Sequence, residues 1–396
     1  MKTQKYRFLL LVIVGMAFSA QLIAQPKINV KEQFALAEKQ YALMLKTHPD
    51  TDKTPQSVNP DGTLRDMPTE WWCSGFFGGS LWKLYEYTRK PEWKDAAHLW
   101  TMAVQKEQYN TGTHDLGFMV YIPFGTGFRL TKNPVYKKAM LNGAESLSTR
   151  FDPKRGVIKS WNDFRGHKYP VIIDNLMNLD FLFWATRETG NKKYHDIAVT
   201  HANSTIKNHF RPDNSSYHVL LYGPDGTVEG RKTAQGAADE SAWARGQAWS
   251  LYGYTSIYRD TRDKKYLDQA IKIADFYINH PNLPADKVPY WDFNAPKIPN
   301  EERDASAAAI TSSGLFELAG YVDASRKKQY TNAAIKMLES LSSPQYRAKL
   351  GENNNFLLKH STGHKPGNSE IDVPLIYADY YYLEALMRYD GLRPRQ

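Results

Sequence analysis

Five short stretches of the chain resemble one another: "PEWKDAA" from Pro91, "PVYKKAM" from Pro134, "KKYHDIA" from Lys192, "KKYLDQA" from Lys264 and "KQYTNAA" from Lys328. Each carries an aromatic residue (Trp93, Tyr136, Tyr194, Tyr266, Tyr330) followed four positions later by Ala or Met. Residues four apart are neighbours on a helix face, so each copy predicts the opening turns of a helix. Upstream of most copies lies another apolar run of helical character, such as "GGSLWKLYEYT", "NLMNLDFLFWATRET", "GQAWSLYGYTSIYRD" and "SSGLFELAGYVDA", closed by a short polar turn. The unit is a repeated helix–turn–helix. An opening pair is drawn from "VKEQFALAEKQYALMLK" and a closing helix from "LIYADYYYLEALMRYD". Five marked pairs plus the terminal helices approximate six hairpins, which close into a ring of inner and outer helices: an all-α, (α/α)6 barrel. The inner helices are then apolar nearly all round, as "NLDFLFWA" is. An open solenoid competes, but its copies would be more regular than these, whose aromatics lie 43, 58, 72 and 64 residues apart.

The N-terminus, "MKTQKYRFLLLVIVGMAFSAQLIAQ", reads as a signal peptide over residues 1–24. Lys2, Lys5 and Arg7 precede an apolar stretch that is short for a membrane span, and Ala24, with Ala20 as a second site, offers a small residue for cleavage. The expectation is export, to the periplasm, with no membrane attachment afterwards, and residues 25–396 as one domain. Cleavage removes three cations and no acids, taking the formal charge from +9 to +6. That mild excess suits an anionic partner. No Lys/Arg block marks a nucleic-acid tail, so no nucleic-acid partner is expected. Cys73 is the lone cysteine, which excludes an internal disulfide and a Cys-based zinc site. No His spacing matches a metal motif, so neither metal nor cofactor is expected. Oligomeric state is not legible.

The long intervals between copies are rich in Gly, Asp, His and Trp, and loops gathered at one end of a barrel are where a site forms. Four stretches set polar residues among aromatics and Gly at the start of an inner helix: "WWCSGFFGGSLW" from Trp71, "THDLGFM" from Thr113, "IIDNLMNL" from Ile172 and "DESAWARGQAWSLYGY" from Asp239. Asp174 can be the N-cap of a helix beginning near Asn175, or a catalytic acid. Asp115 has the same ambiguity, and together they form a candidate carboxylate pair for acid–base work on sugars. His218 lies on the alternating run "YHVLLY", where a structural histidine is the commoner case. Arg245 is either a buried structural cation or a clamp for a substrate carboxylate. Trp72, Trp161, Trp243 and Trp249 can all be core. "FFGGS" does not follow a strand, so a nucleotide-phosphate loop is not expected.

Taken in order, "WCSGFFGGSLW", "THDLGFM", "SWNDFRG", "IIDNLMNLDFLFWA", "YHVLLY", "WARGQAWSLYGY", "DASAAAITSSGLFEL" and "IDVPLIYADYYYLEAL" resemble glycoside hydrolase family 88, the unsaturated glucuronyl hydrolases. The match covers most of the mature chain. The resemblance implies an (α/α)6 barrel acting on unsaturated acidic oligosaccharides left by polysaccharide lyases, by hydration of the double bond between carbons 4 and 5 of the terminal uronic acid. It implies Asp174 as acid and base, kept protonated by its apolar surroundings, and Asp115 as the second essential carboxylate. It further implies His218, Gln235, Trp243, Arg245 and Asn175 in the substrate site, with Trp72 and Trp161 stacking on sugar. The tail segment "HSTGHKPGNSEID" departs from the pattern associated with sulfate recognition; Lys359, Ser361 and Lys365 are its candidates, and a solvated loop is the competing reading for each.

The nearest rival is an unsaturated rhamnogalacturonyl hydrolase acting on pectin fragments; "DNLMNL" and "WARGQAW" favour the glucuronyl family. A sugar isomerase or epimerase would call for paired catalytic histidines, which are not found. A non-catalytic glycan-binding protein would keep the aromatics without both acids.

Overall fold

The computed structural model describes residues 28–392, so the signal-peptide reading of residues 1–24 lies outside the described residues. Twelve α-helices are found among the described residues: α1 Val30–Thr47, α2 Gly75–Thr88, α3 Pro91–Ala103, α4 Thr126–Thr131, α5 Pro134–Ser148, α6 Leu179–Thr189, α7 Lys192–Asn208, α8 Ala244–Thr261, α9 Lys264–Asn279, α10 Ala305–Leu318, α11 Ala324–Leu341 and α12 Ile376–Gly391. Even-numbered helices form the inner ring and odd-numbered helices the outer one. Along α10 every residue but Glu317 is buried, whereas α11 buries one stripe around Tyr330, Ala334 and Met337. Helix α12 packs on both α10 and α2, which closes the ring and excludes the open solenoid. Inner helix α4 is extended at its start by a π-helical stretch, Gly117–Gly125, with Pro123 inside it. The wider turns tolerate the missing backbone donor of Pro123.

The five repeated stretches are the openings of α3, α5, α7, α9 and α11, and their aromatics are all buried. One expectation is corrected. "VKEQFALAEKQYALMLK" forms a single helix, α1, and not a pair; it packs against α2 and α12 because nothing in its unbroken periodic pattern supplies a turn.

Four inner-to-outer links share one two-residue design. The inner helix ends on Thr88, Thr131, Thr189 or Thr261, whose hydroxyl donates to the carbonyl four residues back at 2.7, 2.7, 2.7 and 2.8 Å. The next residue is left-handed (Arg89 φ 61°, Lys132 φ 59°, Gly190 φ 71°, Arg262 φ 57°). The one after starts the outer helix, with Pro following it at α3 and α5 or with Asn133, Asn191 or Asp263 capping the second backbone N–H with its side chain. The opposite links are long, and they carry small antiparallel sheets: β1 Lys53–Val58 with β2 Leu64–Pro68, β3 Phe151–Asp152 with β4 Val157–Ile158, β5 Pro170–Ile172 with β6 Val219–Tyr222 and β7 Val228–Lys232, and β8 Ser361–His364 with β9 Ser369–Val373. All of them gather at the end where the inner helices begin.

Charges are buried inside the ring toward the short-link end. Glu384 pairs with Lys83 at 3.2 Å and accepts from Ser313 Oγ at 2.7 Å and Tyr252 Oη at 2.9 Å, with Arg388 at 3.7 Å. No helix among the described residues is long and apolar enough to cross a membrane.

Candidate active site

Strand pairing sets the site. β5 runs antiparallel to β6 with Ile172 opposite Val219, and the Ile173 N–H donates to the His218 carbonyl at 3.0 Å. Asp174 and His218 therefore face each other just where the two strands end. The chain then turns through a 3-10 segment, Ile173–Asn178, before α6 begins at Leu179. The N-cap reading of Asp174 is thereby corrected: it lies within that turn, the cap position is Ile172, and no side chain caps it. Asp174 has no helix-capping duty that would explain a buried acid.

Asp115 arrives from the neighbouring inner segment. Gly117 N–H donates to Asn178 Oδ1 at 2.8 Å, locking the "HDLG" turn onto the "DNLMN" turn. Thr113 Oγ1 donates to Asp115 Oδ2 at 3.0 Å, and His114 Nε2 lies 3.3 Å from Oδ1. Both residues are buried, and they line one cavity of about 330 Å³, a size that suits a small ligand. Burial raises the pKa of each to about 7. Asp115 is eased back down by the Thr113 hydroxyl and the Arg150 charge, while the negative charge of Asp115 adds to the rise at Asp174, partly offset by Arg245. His114 is held down to about 3 by burial first and the Arg150 charge second, so it is a neutral neighbour.

Around the acids the cavity is walled by Trp71, Trp72, Trp161, Ile172 and Tyr377, with Gln235, Arg245, His364, Ser369, Glu370 and Arg65 supplying polar surface. His218 packs on Trp243 with ring centroids 4.4 Å apart and meets the edge of Trp161 at 6.1 Å. Its Nδ1 accepts from the backbone N–H groups of Ala234 and Gln235, each at 3.2 Å. Its Nε2 lies 3.8 Å from Asp174 Oδ2. The Gln235 amide donates to the Gly363 carbonyl at 3.0 Å, and His364 Nε2 meets the Ala234 carbonyl at 2.9 Å, so β8 is stitched across the cavity.

Arg245 takes the structural role of its two readings. It is buried, pairs with Asp304 at 2.8 Å, and donates to the carbonyls of Thr362 and Gly363 at 2.6 Å each, with its guanidinium over the Trp243 and Tyr377 rings. It forms cavity floor and anchors β8. Of the predicted residues, His218, Trp243, Asn175, Ser361, Lys365 and Lys359 lie outside the lining, the first two packed on each other beside Asp174. Asn175 is fully buried, its amide donating to the Ile158 carbonyl at 2.8 Å, so it braces the turn that carries Asp174. Ser361 is fully buried in β8. Lys365 is held by Glu301 at 2.6 Å and by Glu302, above the Trp291 ring. Lys359 donates to the Pro344 carbonyl. Arg65, Trp71, His364, Ser369, Glu370 and Tyr377 line the cavity without having been singled out. Arg65, His364, Ser369 and Glu370 come from hairpins whose residues carry no periodic signal, whereas Trp71, just before α2, and Tyr377, in α12, stand inside quoted motifs.

A larger cavity, about 450 Å³, opens at the other end of the ring. Its cations Lys83, Arg259 and Arg388 pair with Glu384, Asp180 and Glu317. The two raised carboxyls lie in the smaller cavity.

The Glycosyl Hydrolase Family 88 model matches residues 45–391. The chain belongs to that family. This family 88 chain is 42% identical over 396 residues to the unsaturated glucuronyl hydrolase of Formosa agariphila, covering 97% of its own length and 98% of that protein's. A solved unsaturated glucuronyl hydrolase specific for heparin superposes with a TM-score of 0.89 at 48% identity, over 92% of this chain and 97% of the other. An aspartate-to-asparagine variant of the enzyme from Streptococcus agalactiae, solved with dGlcA-GalNAc6S, matches at TM-score 0.78 and 29% identity over 92% of each chain. The family 88 chain is thus a glycosidase on a helical barrel, as its repeats and ordered motifs predict.

Proposed function

We propose that this family 88 enzyme removes the 4,5-unsaturated uronic acid from the non-reducing end of lyase-generated, glycosaminoglycan-type oligosaccharides, with Asp174 as acid and base. The observation that carries the reading is the pair of buried carboxyls, both raised to about 7, in one tryptophan-walled cavity. A carboxylic acid that stays protonated near neutrality can give its hydrogen to carbon 4 of the enol ether. Positive charge then develops at carbon 5, shared with the ring oxygen. The Asp174 carboxylate takes a proton from water as the water oxygen bonds to carbon 5. The hemiketal opens and releases the neighbouring sugar. The negative charge of Asp115 raises the pKa of Asp174 and so favours its protonated form. Trp72 and Trp161 present ring surface for stacking.

The names of the relatives support a glycosaminoglycan-type substrate over pectin fragments. The mild positive charge suits an acidic substrate, and the leader-like residues 1–24 support export to the periplasm; fractionation of cells expressing the full chain tests that address. The function itself is tested by incubating the enzyme with a panel of lyase-generated disaccharides and following loss of the double bond's ultraviolet absorption. In heavy water, hydration places deuterium on carbon 4. Unchanged absorption across the whole panel, or a product without that label, refutes the reading.

A further inference from the structure

Two buried polar atoms beside the cavity, Asp174 Oδ2 and His218 Nε2, have no hydrogen-bond partner and face each other across 3.8 Å. That gap is longer than a hydrogen bond, and catalytic contacts of this kind tighten when substrate binds. The opposite edge of the imidazole is fully committed. The backbone N–H groups of Ala234 and Gln235 both point at Nδ1, and an amide N–H can only donate, so Nδ1 presents its lone pair. A neutral imidazole in that setting carries its hydrogen on Nε2. The Trp243 face holds the ring plane, so the Nε2–H remains aimed at Oδ2.

We infer that His218 is a positioning residue that fixes which oxygen of Asp174 carries the transferable hydrogen. This role rests on the proposed hydration reaction, in which the two carboxyl oxygens of Asp174 are not equivalent. Oδ2 is sealed from solvent and looks at a donor, so it must offer a lone pair. The acid hydrogen is then confined to Oδ1, the oxygen left open to the cavity. After transfer to carbon 4, the Nε2–H steadies the charge on Oδ2, and Oδ1 is again the oxygen that receives a proton from water. One oxygen both gives and takes, on one face of the sugar. The charged and titratable groups set against this pair agree with a neutral imidazole. Asp174 is faced by Asp115 and Arg245, and His218 by Arg245, His364 and His209; burial, then the Arg245 charge, holds the imidazole well below its ordinary pKa.

The test pairs a substrate-free readout with kinetics. Nitrogen-15 NMR of the ring in the intact enzyme is expected to show hydrogen on Nε2, bare Nδ1 and no protonation between about pH 5 and 8. Hydrogen on Nδ1, or an imidazolium in that range, overturns the inference. His218→Leu is expected to lower kcat by roughly 100-fold, the scale of a misplaced reacting group, with KM within about twofold. His218→Gln, whose amide N–H reaches toward the Nε2 position, is expected to recover most of kcat. Wild-type kcat in the Leu variant, or no recovery by Gln, overturns the assignment. If the wild-type enzyme consumes no unsaturated disaccharide at all, the proposed function fails instead, and the NMR arm still reports on the ring.

Discussion

Gly117 and Asn178 hold the two acid-bearing turns together: the Gly117 amide donates to Asn178 Oδ1 at 2.8 Å, and a Cβ on Gly117 would stand 2.5 Å from that oxygen and 2.9 Å from the Asn178 Cα. No side chain fits there. Gly117→Ala must push the "HDLG" and "DNLMN" turns apart, at a cost of about 1–3 kcal/mol for overpacking. Activity on the unsaturated disaccharide should fall far more than that stability loss, because the two carboxyls move relative to each other. Urea unfolding beside kcat/KM separates the effects, and a variant with lowered stability but unaltered kcat/KM would contradict the placement.

Asp174 must begin each turnover protonated, and its pKa is raised to about 7. The rate should therefore decline as pH rises through about 7, the sign expected of an essential acid and opposite to that of an essential base. Asp174→Asn should lose at least about 100-fold in kcat, the scale of general acid–base catalysis, with an unchanged circular dichroism spectrum. A rate that climbs through pH 7, or full turnover by the variant, would remove Asp174 from this role.

Asp115 acts on Asp174 through its charge. In Asp115→Asn that negative neighbour is gone, the Arg245 charge remains, and the pKa of Asp174 should drop. Whatever activity survives should show its basic limb at lower pH than the wild type. A limb that stays put or moves upward would mean that the two acids are not electrostatically linked.

Glu384 is held down to about 2, because Lys83, Arg388 and the hydroxyls of Ser313 and Tyr252 outweigh its burial. A lowered carboxyl pKa gives stability that is present above the unfolded value and lost as pH falls through about 2, so the contribution is complete at neutral pH. Glu384→Gln leaves the buried Lys83 without its anion, while Arg388 keeps Glu317 at 2.8 Å, and should cost about 3 kcal/mol at pH 7, read from the urea midpoint, with KM unaffected since the residue lies away from the acid-bearing cavity. Wild-type stability would show that the network is solvated.

Asp263 caps α9 at the backbone N–H of Lys265, 3.1 Å away, within the repeated two-residue link. Asp263→Ala should cost about 1 kcal/mol and leave kinetics untouched. No loss of stability would show that the left-handed Arg262 and the Thr261 hydroxyl hold the link without the cap.

The ring of helices was legible because its signal is local: an aromatic and a small residue one turn apart, five times over. The same holds for Asp174 and Asp115, which sit at fixed offsets inside motifs at the starts of inner segments. The shared Thr, left-handed residue, cap pattern is present as "TRK", "TKN", "TGN" and "TRD" but is not legible as such, since only Gly190 announces a positive φ by its residue type. The cavity's far wall was not legible. Glu370 and Ser369 come from a hairpin whose place is fixed by Arg245 and Gln235 gripping the carbonyls of Thr362 and Gly363, contacts that span more than a hundred residues. The sequence around Arg245 suits a clamp or a strut equally, and the buried Asp304 beside it, which the sequence does not place there, favours the strut.

The unequal lengths of the two sets of links have an evolutionary reading. Inserting chain into a two-residue link would throw a pair of helices out of step, so that rim is frozen. Inserting chain on the opposite rim merely adds material around the doorway. Divergence in sugar preference can then proceed by rewriting doorway loops alone, while the helical drum beneath and its two acids are inherited intact.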